Sequence, residues 1–306
     1  MRDQFIKTLT ELAEKDPKIF LITGDLGFGV LTDFAKRFPN QFLNIGVAEQ
    51  NMAGVAAGIA LEGRTVYIYS IGNFPSLRCL EQIRNDACYH NANVKVVCIG
   101  GGFSYGALGM SHHATEDLAI MRSLPGVKVF APSDLWETAE ATKATASTPG
   151  VCYLRLDKSK ADTVPLENES FKFGKLRTLK QGSSLALLSV GGITEVALEV
   201  SKKLDTLGIS SSVISVHTLK PFDDDGLKDV IKNHKYLVTI EEHNLTGGLA
   251  GAVAESALMS QAYPSQFLRI GLQDTYSSVV GSQNYLRKYY NMDAEYILNR
   301  ILKMVH

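Results

Sequence analysis

The most chemically suggestive feature of this 306-residue chain is a carboxylate at the head of a helix built from small residues. Glu49 stands in the run NIGVAEQNMAGVAAGIALEG, residues 44–63, where the helical pattern starts near residue 48. Gly54, Ala56, Ala57, Gly58 and Ala60 leave that helix with little bulk, so another backbone can pack very close to it. An acid in a first helical turn is stabilised by the helix dipole, and that alone accounts for Glu49. A carboxyl is also one of the groups that can serve general acid–base chemistry. A second candidate is a single imidazole of His112-His113, on the glycine-rich stretch GGGFSYGALGMSHH of residues 100–113, because a loop of that length between a strand and a helix is usually functional. The two histidines do not read as a metal pair. Adjacent side chains diverge, and no third ligand follows at a zinc spacing. Gly24-Asp25-Leu26-Gly27-Phe28-Gly29 follows a strand but lacks the dinucleotide spacing, and reads as a tight turn or a weak phosphate cradle. Gly247-Gly248 is read as close helix–sheet packing, and Asp223-Asp224-Asp225 as a helix cap. There is no GxxxxGK[ST], no HExxH and no GxSxG.

Composition narrows the class without naming a chemistry. Lys and Arg number 31 against 32 Asp and Glu, a formal charge of −1, which argues against a nucleic-acid binder. Apolar residues at 45% and charged ones at 21% exclude disordered and fibrous classes. Cys79, Cys88, Cys98 and Cys152 form no CxxC pair, so a reducing, cytoplasmic setting is the default. Phe5, Leu9 and Leu12 mark an amphipathic helix where a signal peptide would need an apolar core. No apolar run reaches the length of about 18 residues that suggests a membrane span.

The elements that must position these residues alternate strand and helix. Strands are expected at 19–23, 65–70, 94–100, 127–131 and 151–156, with helices at 48–61, 77–90, 115–123 and 134–147 between them. The strand runs (VKVVCIG, VKVF) are continuously apolar, as in parallel sheets buried on both faces. A polar stretch over 158–181 reads as a linker with an edge strand. Alternation then restarts with strands at 185–190, 211–217, 236–241 and 267–271. The expected fold class is α/β with two domains, 1–157 and 182–306, each a mostly parallel sheet flanked by helices.

Taken together, IGVAEQNMAGVAAGIALEG, VYIYSIGNF, LEQIRNDA, GALGMSHHATEDLAIMRSLPGVKVFAPSD and VCYLRL resemble the pyrimidine-binding domain of thiamine diphosphate enzymes of the transketolase group. That group includes 1-deoxyxylulose-5-phosphate synthase and the β subunit of 2-oxo acid dehydrogenases. LLSVGGITEVALEVSKKLDTLGISSSVISVHTLKPFD and TIEEHNLTGGLAGAVAE resemble the group's C-terminal domain. The resemblance implies that Glu49 hydrogen-bonds the aminopyrimidine and shares its proton, and that Phe74, or else Tyr69, packs on the ring. It implies His112 as a catalytic, substrate-side donor to the developing oxyanion, Arg155 and Arg2 as binders of a sugar phosphate, and Arg78 as a further substrate-side cation. Leu108, Gly100 and Gly29 stand where the group carries an acid, a histidine and a serine. The GDG motif and the paired asparagines that hold Mg²⁺ and the diphosphate have no counterpart here. The resemblance therefore implies the C-terminal half of a split transketolase, with thiamine diphosphate and Mg²⁺ held mainly by a separate N-terminal-type subunit in an α2β2 assembly. The helix after Glu49 and helix 77–90 are the candidate interface elements. The alternatives are the β subunit of a 2-oxo acid dehydrogenase, a deoxyxylulose phosphate synthase-like enzyme, or a silent structural or regulatory subunit.

Overall fold

Continuously apolar strands need cover on both faces, and the chain supplies it with helices on either side of two sheets. The computed structural model describes residues 1–305. The first half runs α1 (Arg2–Ala13), β1 (Ile19–Thr23), α2 (Thr32–Arg37), β2 (Phe42–Asn44), α3 (Glu49–Leu61), β3 (Thr65–Ile71), α4 (Leu80–Gln82), β4 (Val94–Ile99), α5 (Asp117–Ser123), β5 (Lys128–Phe130), α6 (Leu135–Ser147) and β6 (Cys152–Leu156). A π-helical segment, Ile83–Cys88, extends α4. The second half runs β7 (Arg177–Lys180), β8 (Leu185–Val190), α7 (Thr194–Thr206), β9 (Ser211–Ser215), β10 (Thr218–Lys220), α8 (Asp224–Asn233), β11 (Tyr236–Asn244), α9 (Leu249–Met259), β12 (Gln266–Leu272), α10 (Gln283–Tyr289) and α11 (Ala294–Val305). No helix among the described residues is long and apolar enough to cross a membrane.

The larger sheet has the order β10-β5-β6-β4-β3-β1-β2, and the smaller β12-β11-β8-β9-β7. Pairing is parallel throughout except at one edge of each, where β10 and β7 run antiparallel. β10 comes from the second half of the chain yet completes the first sheet. Sequence periodicity does not mark β2, β10 and α2, which hold three, three and six residues, too few for a period to show. Successive residues of β3 point to opposite faces. Val66 and Ile68 meet α3 in one core, while Tyr67 and Tyr69 meet α1 in another. The first core continues without a break into Leu188, Ile214 and Leu249 of the second half.

Two polar clusters fasten the halves together. At the start of α6, Asp134 accepts the Glu137 N–H at 2.7 Å, and Glu137 accepts from the N–H and hydroxyl of Ser133 at 2.7 and 2.8 Å. The cap at Asp134 is the one the spacing to Glu137 suggests, with Glu137 reaching back one residue past the N-cap to Ser133. Arg177 of β7 then donates to Asp134 at 2.7 Å, and Ser215 of β9 to Glu137 at 3.0 Å. The second cluster lies at the carboxyl ends of β6, β8 and β11. Arg155 donates to the Glu242 carbonyl at 2.9 Å, and Asp157 accepts the Gly192 N–H at 2.6 Å. The Glu242 carboxylate holds Gln283 at 2.9 Å, and it also pairs with Arg287. The order of the small sheet reverses at β8, and open α/β sheets bind ligands at such a point. Here it is filled by the protein's own charges.

Glu241 gives this region a pH dependence. It is buried, and it accepts the N–H groups of Leu249 at 2.6 Å and Ala250 at 2.8 Å at the start of α9. Burial pushes its carboxyl from 4.5 up to about 7, against the pull of those N–H groups. The native chain thus keeps a proton that the unfolded chain releases. The group's contribution to stability is full below about pH 4.5 and is lost as pH rises to about 7. Between about pH 5 and 7.5 the urea midpoint of Glu241→Gln should gain steadily on that of the wild type. A pH-independent difference would show that Glu241 titrates in the ordinary carboxylate range.

Candidate active site

Glu49 is fixed by a tight turn between β2 and α3. The Asn44 side-chain oxygen accepts the N–H groups of Asp25 at 3.0 Å and Gly46 at 3.1 Å, and Gly46 adopts a φ of 76°. That left-handed turn starts α3 with Glu49 as its first residue, 3% exposed. A Cβ on Gly24 would lie 3.3 Å from the Gly46 carbonyl and 3.6 Å from Cγ of Glu49, so the bare glycine leaves a shallow cradle beside the acid. Arg78 donates through Nη1 to Oε2 of Glu49 at 2.9 Å. Its guanidinium carbon also lies 4.4 Å from the centre of the Phe74 ring. The other neighbour of Phe74 is His112, edge to face with ring centres 5.0 Å apart. Glu49, Arg78, Phe74 and His112 therefore form one continuous run of contacts at the carboxyl end of β3. Cys79 beside them is no nucleophile, because burial, reinforced by Glu49, pushes its thiol up to about 12.

The loop carrying His112 is held from both halves of the chain. Backbone bonds between Gly102 and Ala114 at 2.8 and 3.0 Å close its base, and Gly281 donates to the Gly106 carbonyl at 3.3 Å. A Cβ on Gly106 would sit 2.5 Å from Leu286, so only glycine fits against α10. Asn73 donates to the His113 carbonyl. The His112 Nδ1 is 3.1 Å from the Ser111 hydroxyl. His113 turns the other way, into the protein, with Nε2 3.3 Å from the Gly106 carbonyl and its ring against Phe103. Burial lowers its pKa, which keeps it neutral. Among the described residues no three His, Cys, Asp or Glu side chains converge as a metal-binding group.

Three other residues that the sequence singles out lie apart from this run. Tyr69 is buried on the opposite face of β3, with its ring 6.2 Å from Phe5. Arg155 is 1% exposed and lies between Asp117 at 3.4 Å and Asp157 at 3.7 Å. Burial alone would lower its pKa, but the two acids raise it, so it stays a cation. Arg2, exposed at the head of α1, is 2.8 Å from Asp3 and opens with Gly29 onto a cavity of about 590 Å³. Sequence reasoning misses Lys158, whose ammonium sits 3.7 Å over the Tyr105 ring. Burial and the nearby charge of Arg2 lower its pKa. Its place just past the end of β6 is the one signal that could have found it, since ligands of α/β sheets gather at strand carboxyl ends. Tyr105 also explains Gly100, where a Cβ would lie 2.3 Å from the tyrosine ring and any histidine would displace it. Leu108 is 54% exposed on the same loop.

Comparison with known proteins identifies the family. Residues 1–163 match the family described as "Transketolase, pyrimidine binding domain", and residues 174–297 that described as "Transketolase, C-terminal domain". The chain belongs to the transketolase family. A subunit of the apulose-4-phosphate transketolase of Phocaeicola vulgatus is 34% identical over 99% of this chain and 97% of its own length. The 6-deoxy-6-sulfo-D-fructose transketolase subunit SqwH of a Clostridium species is 32% identical over 97% of this chain and 92% of its own. The 1-deoxy-D-xylulose-5-phosphate synthase of Dictyoglomus thermophilum is 32% identical over 98% of this chain, which spans only 48% of that enzyme. A solved structure described as a split gene transketolase, inactive beta4 tetramer, superposes with a TM-score of 0.87 at 36% identity, covering 99% of this chain and 96% of that one. In this transketolase-family chain the buried Arg155 has a structural consequence. Arg155→Leu leaves Asp117 and Asp157 without their cation and should cost about 3–5 kcal/mol in urea unfolding. A variant of unchanged stability with a raised KM would instead return Arg155 to the substrate.

Proposed function

We propose that this chain is the C-terminal subunit of a split, thiamine diphosphate-dependent transketolase, moving a two-carbon ketol unit from a ketose to an aldose acceptor. The observation that carries the proposal is the joining of Glu49, Phe74 and His112 at one strand end, in a chain that matches transketolase subunits over nearly their whole length. These residues fit the pyrimidine end of the cofactor: a buried carboxyl, an aromatic face, and a glycine cradle that a Cβ would narrow. The sequence carries neither the GDG motif nor the asparagine pair that follows it in the family, so we assign the metal and the diphosphate to the N-terminal-type partner. When bound, the cofactor supplies the carbon nucleophile and electron sink that side chains lack.

Within that frame, the buried Glu49 carboxyl would share a proton with the pyrimidine nitrogen. Phe74 packs on the ring. His112, on the loop that both halves of the chain brace, donates to the substrate oxygen on which negative charge develops. Arg2 and Lys158, grouped around Tyr105, receive an anionic substrate end. The division of the chain at 158–181 into a pyrimidine-binding and a C-terminal domain belongs to the same reading. Support for a partner comes from the exposed apolar rim of the site. Phe28 after β1 and Val47 before Glu49 are 80% and 76% exposed, and Leu77 and Met110, next to Arg78 and near His112 in the chain, are exposed too. On α3, Gly54 and Gly58 have nothing within 4 Å of a Cβ position, which leaves a bare helix face for the α2β2 contacts.

The test is reconstitution with the N-terminal-type subunit, followed by a screen of ketose phosphates against pyruvate and branched 2-oxo acids. Ketose-dependent turnover is expected, and Glu49→Ala should lower kcat/KM by roughly a thousandfold, about 4 kcal/mol of transition-state stabilisation. Turnover of 2-oxo acids alone, or a near-normal Glu49→Ala, would refute the assignment.

A further inference from the structure

Arg78 makes, with Glu49 and Phe74, the two contacts that the proposed cofactor ring requires of the same groups. Its Nη1 takes Oε2 of Glu49 at 2.9 Å, and its guanidinium covers the Phe74 ring with the central carbon 4.4 Å from the ring centre. The edge-on contact of His112 is the other one that Phe74 makes with a ring, so the guanidinium and an incoming pyrimidine want one aromatic face. Guanidinium and aminopyrimidine are alike in the properties that matter here. Both are flat, both present N–H donors in one plane, and both stack. One slot between an acid and an aromatic face cannot hold both.

The side chain can also leave. Glu49 is 4% exposed at its side chain whereas Arg78 is 46% exposed, so the acid is fixed and the cation is free to swing into solvent. Its backbone lies between β3 and α4, in the turn where the Arg78 N–H donates to the Asn73 carbonyl at 3.2 Å, so the side chain can change rotamer with its backbone hydrogen bond kept. The neighbouring charges leave the pair alone. Cys79 stays a neutral thiol, and no other cation pairs with Glu49 among the described residues.

We infer that Arg78 is a positioning residue of this chain that competes with thiamine diphosphate for the Glu49–Phe74 slot, holding the acid and the aromatic ring in place until the cofactor ring displaces it. The inference rests on the proposed cofactor role of Glu49 and Phe74. It replaces a substrate-side role for Arg78 with a gating one. Such a competitor weakens observed cofactor affinity by the fraction of time the slot is free, so removing it must tighten binding. A residue that only supports the fold, or that touches the bound cofactor, would do the reverse.

The experiment measures thiamine diphosphate binding to the reconstituted two-subunit protein at fixed Mg²⁺ by calorimetry, together with the rate of association by stopped flow. Arg78→Gln should lower Kd by roughly tenfold and speed association, with Arg78→Lys falling between it and the wild type. The cofactor-free Arg78→Gln complex should melt below the wild type, while its rise in melting temperature on adding the cofactor should be larger. Unchanged or weaker binding in both variants overturns the inference. The underlying assignment fails separately, if the wild-type complex binds no cofactor or if Glu49→Ala binds it as tightly as the wild type.

Discussion

The charges buried between the carboxyl ends of the two sheets are what the rest of this structure depends on. Arg155 lies between Asp117 and Asp157 and reaches the backbone of Glu242, whose carboxylate holds Gln283 and Arg287. Removing water from such a group is expensive, and the expense is offset only when the partners are held in place. Strand ends, loop 100–116 and the start of α10 are therefore locked in one arrangement. That arrangement presents Glu49, Phe74 and His112 on the outer side of the first sheet. It also closes the switch point of the second sheet, where a ligand would otherwise bind.

The same seam accounts for the unequal roles proposed for the two halves of the chain. The first sheet leaves its strand ends open on the side of α3, and the acid, the aromatic face and the histidine line up there. The second sheet gives its strand ends to the seam and braces the histidine loop through Gly106 and Gly281. The result is a site whose loop is braced from both halves of the chain and whose surroundings carry exposed apolar side chains. The proton transfer proposed for Glu49 and the oxyanion contact proposed for His112 both need groups fixed before the substrate arrives, and the seam provides that fixity.

Much of this is legible in the sequence because it rests on local signals. The continuous apolar runs mark β1 and β8 to the residue, and the Ser133-Asp134-Glu137 spacing marks the start of α6. The small residues after Glu49 mark a helix able to pack closely, and the resemblance points to Glu49, Phe74, Arg78 and His112, which the structure joins. What a sequence does not show is which way a residue in or beside a strand faces. Tyr69, five residues from Phe74, points to the α1 side of β3. Arg155 points into the seam, while Lys158, three residues later, emerges beside Tyr105. β10 cannot be read at all, because a three-residue strand that joins the sheet of the other half leaves no periodic trace.

The central claim is that this chain holds the pyrimidine end of a thiamine diphosphate site that only a second subunit can complete. Its most direct test is a calorimetric titration of thiamine diphosphate with Mg²⁺ into this chain alone, into the N-terminal-type subunit alone, and into the two combined. The account predicts tight, Mg²⁺-dependent binding in the mixture and weak or no binding by this chain alone. Equally tight, metal-dependent binding by this chain without a partner would contradict it.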